Sequence, residues 1–239
     1  MKRLAIVGAM HEEIAALRPC LEDVRTERRA GRDFHFGQLD GHAVILVRSG
    51  IGKVAAATTT AVLLDAFDAH ALLFTGVAGG LGQSVRVGDI VVATSLLQHD
   101  MNAEPLFPRW EVPLTGRARF DADATWSARL VQAGRSLAAA GTHAVAATIH
   151  PGLVVSGDRF VATHTESHEL RILLPDALAV EMEGAAVAQV CHDFGRPFGV
   201  VRTISDRADD AAHGDFQRFV CDVAAPYSRD IVRAALALA

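Results

Sequence analysis

Short apolar runs alternate with longer helical patterns along the whole chain, and this rhythm constrains the fold more than any other feature of the sequence. It predicts an α/β fold with a parallel or mixed sheet covered by helices. The first run is Leu4-Ala5-Ile6-Val7, closed by Gly8. A helix is predicted over residues 11–21, where Ile14, Leu17 and Leu21 share one face. Residues 34–39 and 43–47 flank Asp40-Gly41, a strong two-residue hairpin signal. Residues 51–67 read as a buried helix, and 71–74 as a strand running into the cluster Thr75-Gly76-Val77-Ala78-Gly79-Gly80-Leu81-Gly82. The next strand is predicted over 89–97. Beyond a break come a helix at 125–140, strands near 144–149 and 152–155, and a helix at 165–174. A short strand at 178–180, a helix at 184–194, a strand at 197–204 and a helix from about 215 complete the pattern.

The break lies at 99–116, where Pro105, Pro108 and Pro113 prevent a regular element. A loop this long inside a compact fold usually carries function or packs on a partner. The 239 residues allow one large domain or two small ones. No repeat, low-complexity tract or linker divides them, so one domain over 1–239 is expected.

Composition narrows the function. With 23 Lys and Arg against 28 Asp and Glu, and no basic block, a nucleic-acid partner is not expected. Three cysteines without a Cys-x-x-Cys pair suit a reducing, cytoplasmic setting rather than a disulfide framework. The opening apolar run is too short for a signal peptide, and no apolar stretch approaches the length of a membrane span.

In α/β sheets ligands bind beyond the carboxyl ends of strands. Five predicted strands end in Gly8-Ala9-Met10-His11-Glu12-Glu13, the glycine cluster, Ser156-Gly157-Asp158-Arg159-Phe160, Glu181-Met182-Glu183 and Ser205-Asp206. Four of these carry carboxylates. One such residue commonly just caps a helix, but their coincidence suggests acid-base chemistry. Glycosidic hydrolysis needs one carboxyl to protonate the leaving group and another to activate water. The spacing does not identify the bond. Neither the glycine cluster nor Ser49-Gly50-Ile51-Gly52-Lys53 fits a dinucleotide fingerprint or a P-loop. His164 and His168 share a helical face without the zinc-helix order, so no metal is expected.

Read together, Gly8-Ala9-Met10 with Glu12-Glu13, Ser49-Gly50-Ile51-Gly52-Lys53-Val54-Ala55-Ala56, Thr75 to Gly80, Val87-Gly88-Asp89-Ile90-Val91, Val155-Ser156-Gly157-Asp158, Val180-Glu181-Met182-Glu183 and Arg202-Thr203-Ile204-Ser205-Asp206 resemble the 5′-methylthioadenosine/S-adenosylhomocysteine nucleosidases of the nucleoside phosphorylase superfamily. The resemblance covers nearly the whole chain in order. It implies a single three-layer α/β domain with a central twisted mixed sheet surrounded by helices. It also implies a cytoplasmic homodimer acting in methionine salvage without a cofactor, on an adenine nucleoside.

By the same resemblance, Glu13 activates water, Asp206 protonates adenine N7, Ser205 orients Asp206, and Arg202 lies near the attacking water. Glu183 accepts the ribose hydroxyls, with Met182 against the sugar and Met10 nearby. Phe160 stacks on adenine, the Val161 backbone reads its edge, and Gly79 lines the site. Phe216 lines the pocket for the 5′ substituent, which Phe107 and Pro113 of the neighbouring subunit cap. Departures from the family pattern are Val77, where Ser is frequent, and His11, where an acidic residue is common. Three alternatives stay open: a hydrolase of another adenine nucleoside such as aminodeoxyfutalosine, a phosphate-dependent phosphorylase, and a nucleoside sensor without activity.

Overall fold

The computed structural model describes residues 3–141, 147–208 and 219–239. Its strands are β1 (Arg3–Gly8), β2 (Glu22–Arg29), β3 (Arg32–Leu39), β4 (His42–Arg48), β5 (Ala69–Gly80), β6 (Ile90–Gln98), β7 (Arg119–Asp121), β8 (Ile149–Ser156), β9 (Ala177–Glu181) and β10 (Phe198–Asp206). The helices are α1 (His11–Ala15), α2 (Lys53–Ala61, extended by a π turn), α3 (Ala124–Ala140), α4 (His164–Leu173), α5 (Gly184–Asp193) and α6 (Ala225–Leu236).

All ten strands belong to one mixed sheet. β5 lies between β1 and β10, parallel to both, and at Gly79 and Gly80 it also pairs antiparallel with β9. β10 pairs with β6, β6 with β8 and β8 with β9. Five strands therefore close into a ring, while β1, β4, β3 and β2 continue as an open sheet. Ring closure carries the ends of β1, β5, β8, β9 and β10 to one place.

Strand periodicity assigns the two faces. Ala5 and Val7 of β1, Ile45 and Val47 of β4, and Leu72 and Phe74 of β5 pack with α2 and α5. Leu4, Ile6, Val44, Leu46, Ala71 and Leu73 pack with α1, α3 and α6. The sheet is thus a central layer between helices, and each fully buried large apolar side chain contributes about 1.5–3 kcal/mol.

Most predicted elements are present, including the hairpin, where Asp40 and Gly41 both take positive φ (49° and 81°). Four expectations need correction. The helix predicted over 11–21 is regular only to Ala15, followed by a 3-10 turn at Arg18–Cys20, because the Pro19 ring would clash with the Ala15 carbonyl. The strand predicted over 71–74 runs on through the glycine cluster to Gly80, since β10 and then β9 pair with that stretch. The two strands near 144–149 and 152–155 are one, β8; residues 144–146 lie outside the described residues. Pro151 is tolerated there because β9 joins β8 only from Leu153, so that side of the strand has no ladder to break. β2, with the sequence EDVRTERR and an exposed or half-buried surface throughout, carries no apolar alternation to betray it; it is an edge strand turned through Ala30 and Gly31. The start predicted near 215 for the last helix lies outside the described residues.

Candidate active site

Where the strand ends meet, a cavity of about 380 Å³ opens, lined by residues of every one of those five strand ends. Four carboxylates that are almost fully buried line it, Glu13, Glu181, Glu183 and Asp206.

Glu13 sits in the first turn of α1, one turn past the end of β1. Its Oε2 accepts the backbone N–H groups of Ala9 (2.6 Å) and Met10 (2.9 Å), and its Oε1 accepts that of Val77 (3.0 Å). Burial raises the pKa of Glu13, against the opposing pull of Arg202 and of the three N–H groups. A buried carboxylate with a raised pKa is a stronger base at neutral pH than an exposed one. Gly76 makes the arrangement possible, since a Cβ there would collide with both the Glu13 carboxylate and the Arg202 guanidinium.

Glu181 and Glu183 lie two residues apart at the turn from β9 into α5. Glu181 is consumed by the protein: Ser156 Oγ, Arg202 Nη2 and the backbone N–H groups of Glu183 (3.2 Å) and Gly184 (2.8 Å) all donate to it. Ser156 Oγ in turn accepts the N–H of Ala185 at 2.7 Å, which completes the cap of α5. Glu183 receives the N–H of Gly52 at 2.8 Å, and Arg202 Nη2 lies 3.8 Å away. Burial, then the charge of Glu181, pushes Glu183 up to about 8.

Arg202 is fully buried on β10, stacked 4.2 Å from the Phe74 ring centroid, and does not line the cavity. It stands beneath the carboxylates, with Nη1 and Nε lacking a hydrogen-bond partner among the described residues.

Asp206 ends β10. Ser205 Oγ donates to its Oδ2 (2.7 Å) and the Ala208 N–H to its Oδ1 (2.7 Å), which fixes the plane of the carboxyl. A Cβ on Gly79 would lie 2.9 Å from Ala208 Cβ and 3.0 Å from Asp206 Oδ1, so only glycine lets β5 approach this close. Phe160, 45% exposed, stands at the cavity rim beside Val161.

A polar bracket joins these loops from outside. Lys53 Nζ donates to Asp100 (2.6 Å) and Gln98 (3.0 Å), the Lys53 N–H donates to Asp158 (2.7 Å), and the Asp158 N–H donates to Asp100 (2.9 Å). It ties the start of α2, whose Gly52 holds Glu183, to the loop carrying Phe160.

Of the residues singled out from sequence, Glu13, Ser205, Asp206, Met10, Gly79, Phe160, Val161, Met182 and Glu183 all line the one cavity. Phe107 and Pro113 do not line it and lie in the 99–116 loop; Phe216 is outside the described residues. Glu181, Lys53 and Asp100 received no role from sequence. For Glu181 the signal was its apolar setting beside Glu183; Asp100 carried none, since its partner is 47 residues away.

Comparison with known proteins agrees with this geometry. The model of the phosphorylase superfamily matches residues 3–237. A relative from Anoxybacillus flavithermus, named 5′-methylthioadenosine/S-adenosylhomocysteine nucleosidase, is 39% identical over 231 residues, covering 96% of both chains. The crystal structure of the nucleosidase of that name from Neisseria meningitidis, in complex with methylthio-immucillin-A, is 37% identical, superposes with a TM-score of 0.92 and covers 100% of each chain. The futalosine hydrolase of Helicobacter pylori is 31% identical with a TM-score of 0.90, covering 100% of this chain and 98% of that one. The chain belongs to the phosphorylase superfamily and, within it, to the 5′-methylthioadenosine/S-adenosylhomocysteine nucleosidase family.

Proposed function

We propose that the protein hydrolyses the N-glycosidic bond of 5′-methylthioadenosine and S-adenosylhomocysteine, releasing adenine and the 5-thio-substituted ribose. The observation that carries this reading is the convergence of Glu13, Glu183 and Asp206, from three separate strand ends, on one cavity. Adenine lies between Phe160 and Val161 with N7 at Asp206. The ribose hydroxyls donate to Glu183, and Met182 packs on the sugar. As the C1′–N9 bond breaks, Asp206 gives its proton to N7, Ser205 holds its plane, and adenine leaves neutral. Glu13 takes a proton from the water that attacks C1′. The positive charge developing on the ribose is stabilised by the buried carboxylates around it. Arg202 acts through Glu181 and Glu183 as a positioning residue.

A carboxylate at the attack position disfavours phosphate as nucleophile, since two like charges in a desolvated site repel strongly. Glu13 thereby favours hydrolysis over phosphorolysis. The same reading includes one domain over 1–239 and a homodimer in which Phe107 and Pro113, with the adjacent Leu106 and Leu114, cover the partner's cavity; the exposure of Leu106 (84%) and Leu114 (91%) supports it. A cytoplasmic place in methionine salvage rests on this reading. Adenine release from 5′-methylthioadenosine in phosphate-free buffer tests it. Absence of release, or release only with phosphate, overturns it.

A further inference from the structure

Asp206 takes one of its hydrogen bonds from the backbone, and the peptide that supplies it is anchored from behind. The Ala208 N–H donates to Asp206 Oδ1 at 2.7 Å. The carbonyl of the same peptide unit, that of Arg207, accepts Arg171 Nη2 at 3.1 Å. In a planar trans peptide the C=O and N–H point in opposite directions. A guanidinium that holds the carbonyl on one side therefore aims the N–H at the carboxyl on the other. Arg171 is half-buried on α4 and does not line the cavity. Its other donors reach the carbonyls of Leu81 (Nε, 3.0 Å) and Gly80 (Nη2, 3.3 Å) at the end of β5, and Ser167 Oγ in its own helix (Nη1, 3.1 Å). One side chain thereby fastens the residue after Asp206 to the strand end beside it, where Gly79 leaves room for Ala208. Arg207 adds a second tie, its Nη1 donating to the carbonyls of Gly82 (3.1 Å) and Val85.

The backbone at this point needs an anchor. Ala208 has a φ of 52°, a left-handed conformation that is unfavourable for a residue with a Cβ. Rotation of the 207–208 peptide towards negative φ would relieve Ala208 and turn its N–H away from Asp206. The hydrogen bond from Arg171 to the Arg207 carbonyl opposes that rotation. We infer that Arg171 is a positioning residue for Asp206: by holding the Arg207 carbonyl it keeps the Ala208 N–H on Oδ1, and so fixes the carboxyl in the orientation from which it protonates the leaving base. The inference rests on the function proposed above, in which Asp206 is the acid.

A double-mutant cycle with Asp206→Asn tests it. Arg171→Met is expected to lower kcat for 5′-methylthioadenosine about tenfold with KM within about twofold of wild type, because the acid is displaced while the cavity lining stays intact. In the Asp206→Asn background no proton awaits placement, so the same change is expected to leave kcat, measured by single turnover, within about twofold of Asp206→Asn alone. Arg171→Lys keeps the charge but not the planar fork that spans the carbonyls, and is expected to lower kcat about threefold. It carries the same cycle where Arg171→Met does not fold. Losses that multiply across the cycle overturn the inference, since they assign Arg171 to general stability; so does a full kcat in every folded Arg171 variant, or a rise in KM alone. Wild-type protein that releases no adenine, or Asp206→Asn at full turnover, overturns the proposed function instead, a result read before any Arg171 variant enters.

Discussion

Neighbouring carboxylates at one cavity behave oppositely. Glu181, which lines the cavity beside Glu183, receives Ser156, Arg202 and two backbone N–H groups, so the protein itself occupies both of its oxygens. On the cavity floor, Glu183 receives a single backbone N–H, and Asp206 is held in one plane by Ser205 and Ala208 while its edge faces the cavity. Residue type and burial are the same in both places. What separates Glu181 from Glu183, two residues on, is how much hydrogen-bonding capacity the fold leaves for a ligand.

That contrast breaks first at Asp206. Asp206→Asn keeps the shape and lets the amide donate to Ser205, so stability should change little. The proton donor is lost, and kcat for adenine release is expected to fall by about 10²–10⁴-fold. Steady-state kinetics beside a thermal melt check this; unchanged turnover would remove Asp206 from its role as acid.

Glu181 should respond in the other way. Glu181→Ala takes from Arg202, which has no exposed surface, its hydrogen-bonded carboxylate and leaves it only the longer contact to Glu183, and the expected loss is about 3–5 kcal/mol of folding stability by urea titration. If the variant melts like the wild type yet fails in catalysis, the division between Glu181 and Glu183 is wrong.

A smaller, pH-dependent effect sharpens the comparison. Glu183 is raised from the ordinary 4.5 to about 8, so the folded protein holds its proton more tightly than the unfolded chain does. The associated stability is fully present below about 4.5 and is lost as pH rises through about 8. The slope attributable to it approaches about 1.4 kcal/mol per pH unit between those values. Melts of the ligand-free protein from pH 5 to 9 should show this decline, flattened in Glu183→Gln; identical slopes would refute it.

The smallest effect is expected at the bracket. Lys53→Met removes the link from α2 to Asp100 and loosens both Gly52 and the loop bearing Phe160. For a partly exposed pair the expected change is about fivefold in KM or less, with kcat nearly kept. A fall in kcat without a rise in KM would give Lys53 a different role.

The sheet was legible because buried strands write their burial into the chain: Leu4 to Val7 and 43–47 are apolar runs bounded by turn residues, and 198–201 opens β10 in the same way. β2 was not, since an edge strand on the solvated side needs no apolar face. The length of α1 hinged on a single proline, and β5 on pairing partners in β9 and β10, far away in sequence. For the site, the strand-end rule pointed to the stretches that carry Glu13, Glu183 and Asp206, and the family resemblance singled out these three within them. The strand-end rule gave no way to rank Glu181 against Glu183, two residues apart in the same motif.

The sequence by itself determined the alternation of strands and helices, the places where carboxylates follow strands and, through its motifs, the family. Only the tertiary structure decided which carboxylates remain open to a ligand. The reason is that hydrogen-bond satisfaction is non-local: Ser156 and Arg202, which occupy Glu181, lie 25 and 21 residues from it in sequence, and Gly52, which holds Glu183, lies 131 away. Closure of the five-stranded ring brings those groups together, and it thereby divides one acidic motif into a support and a site.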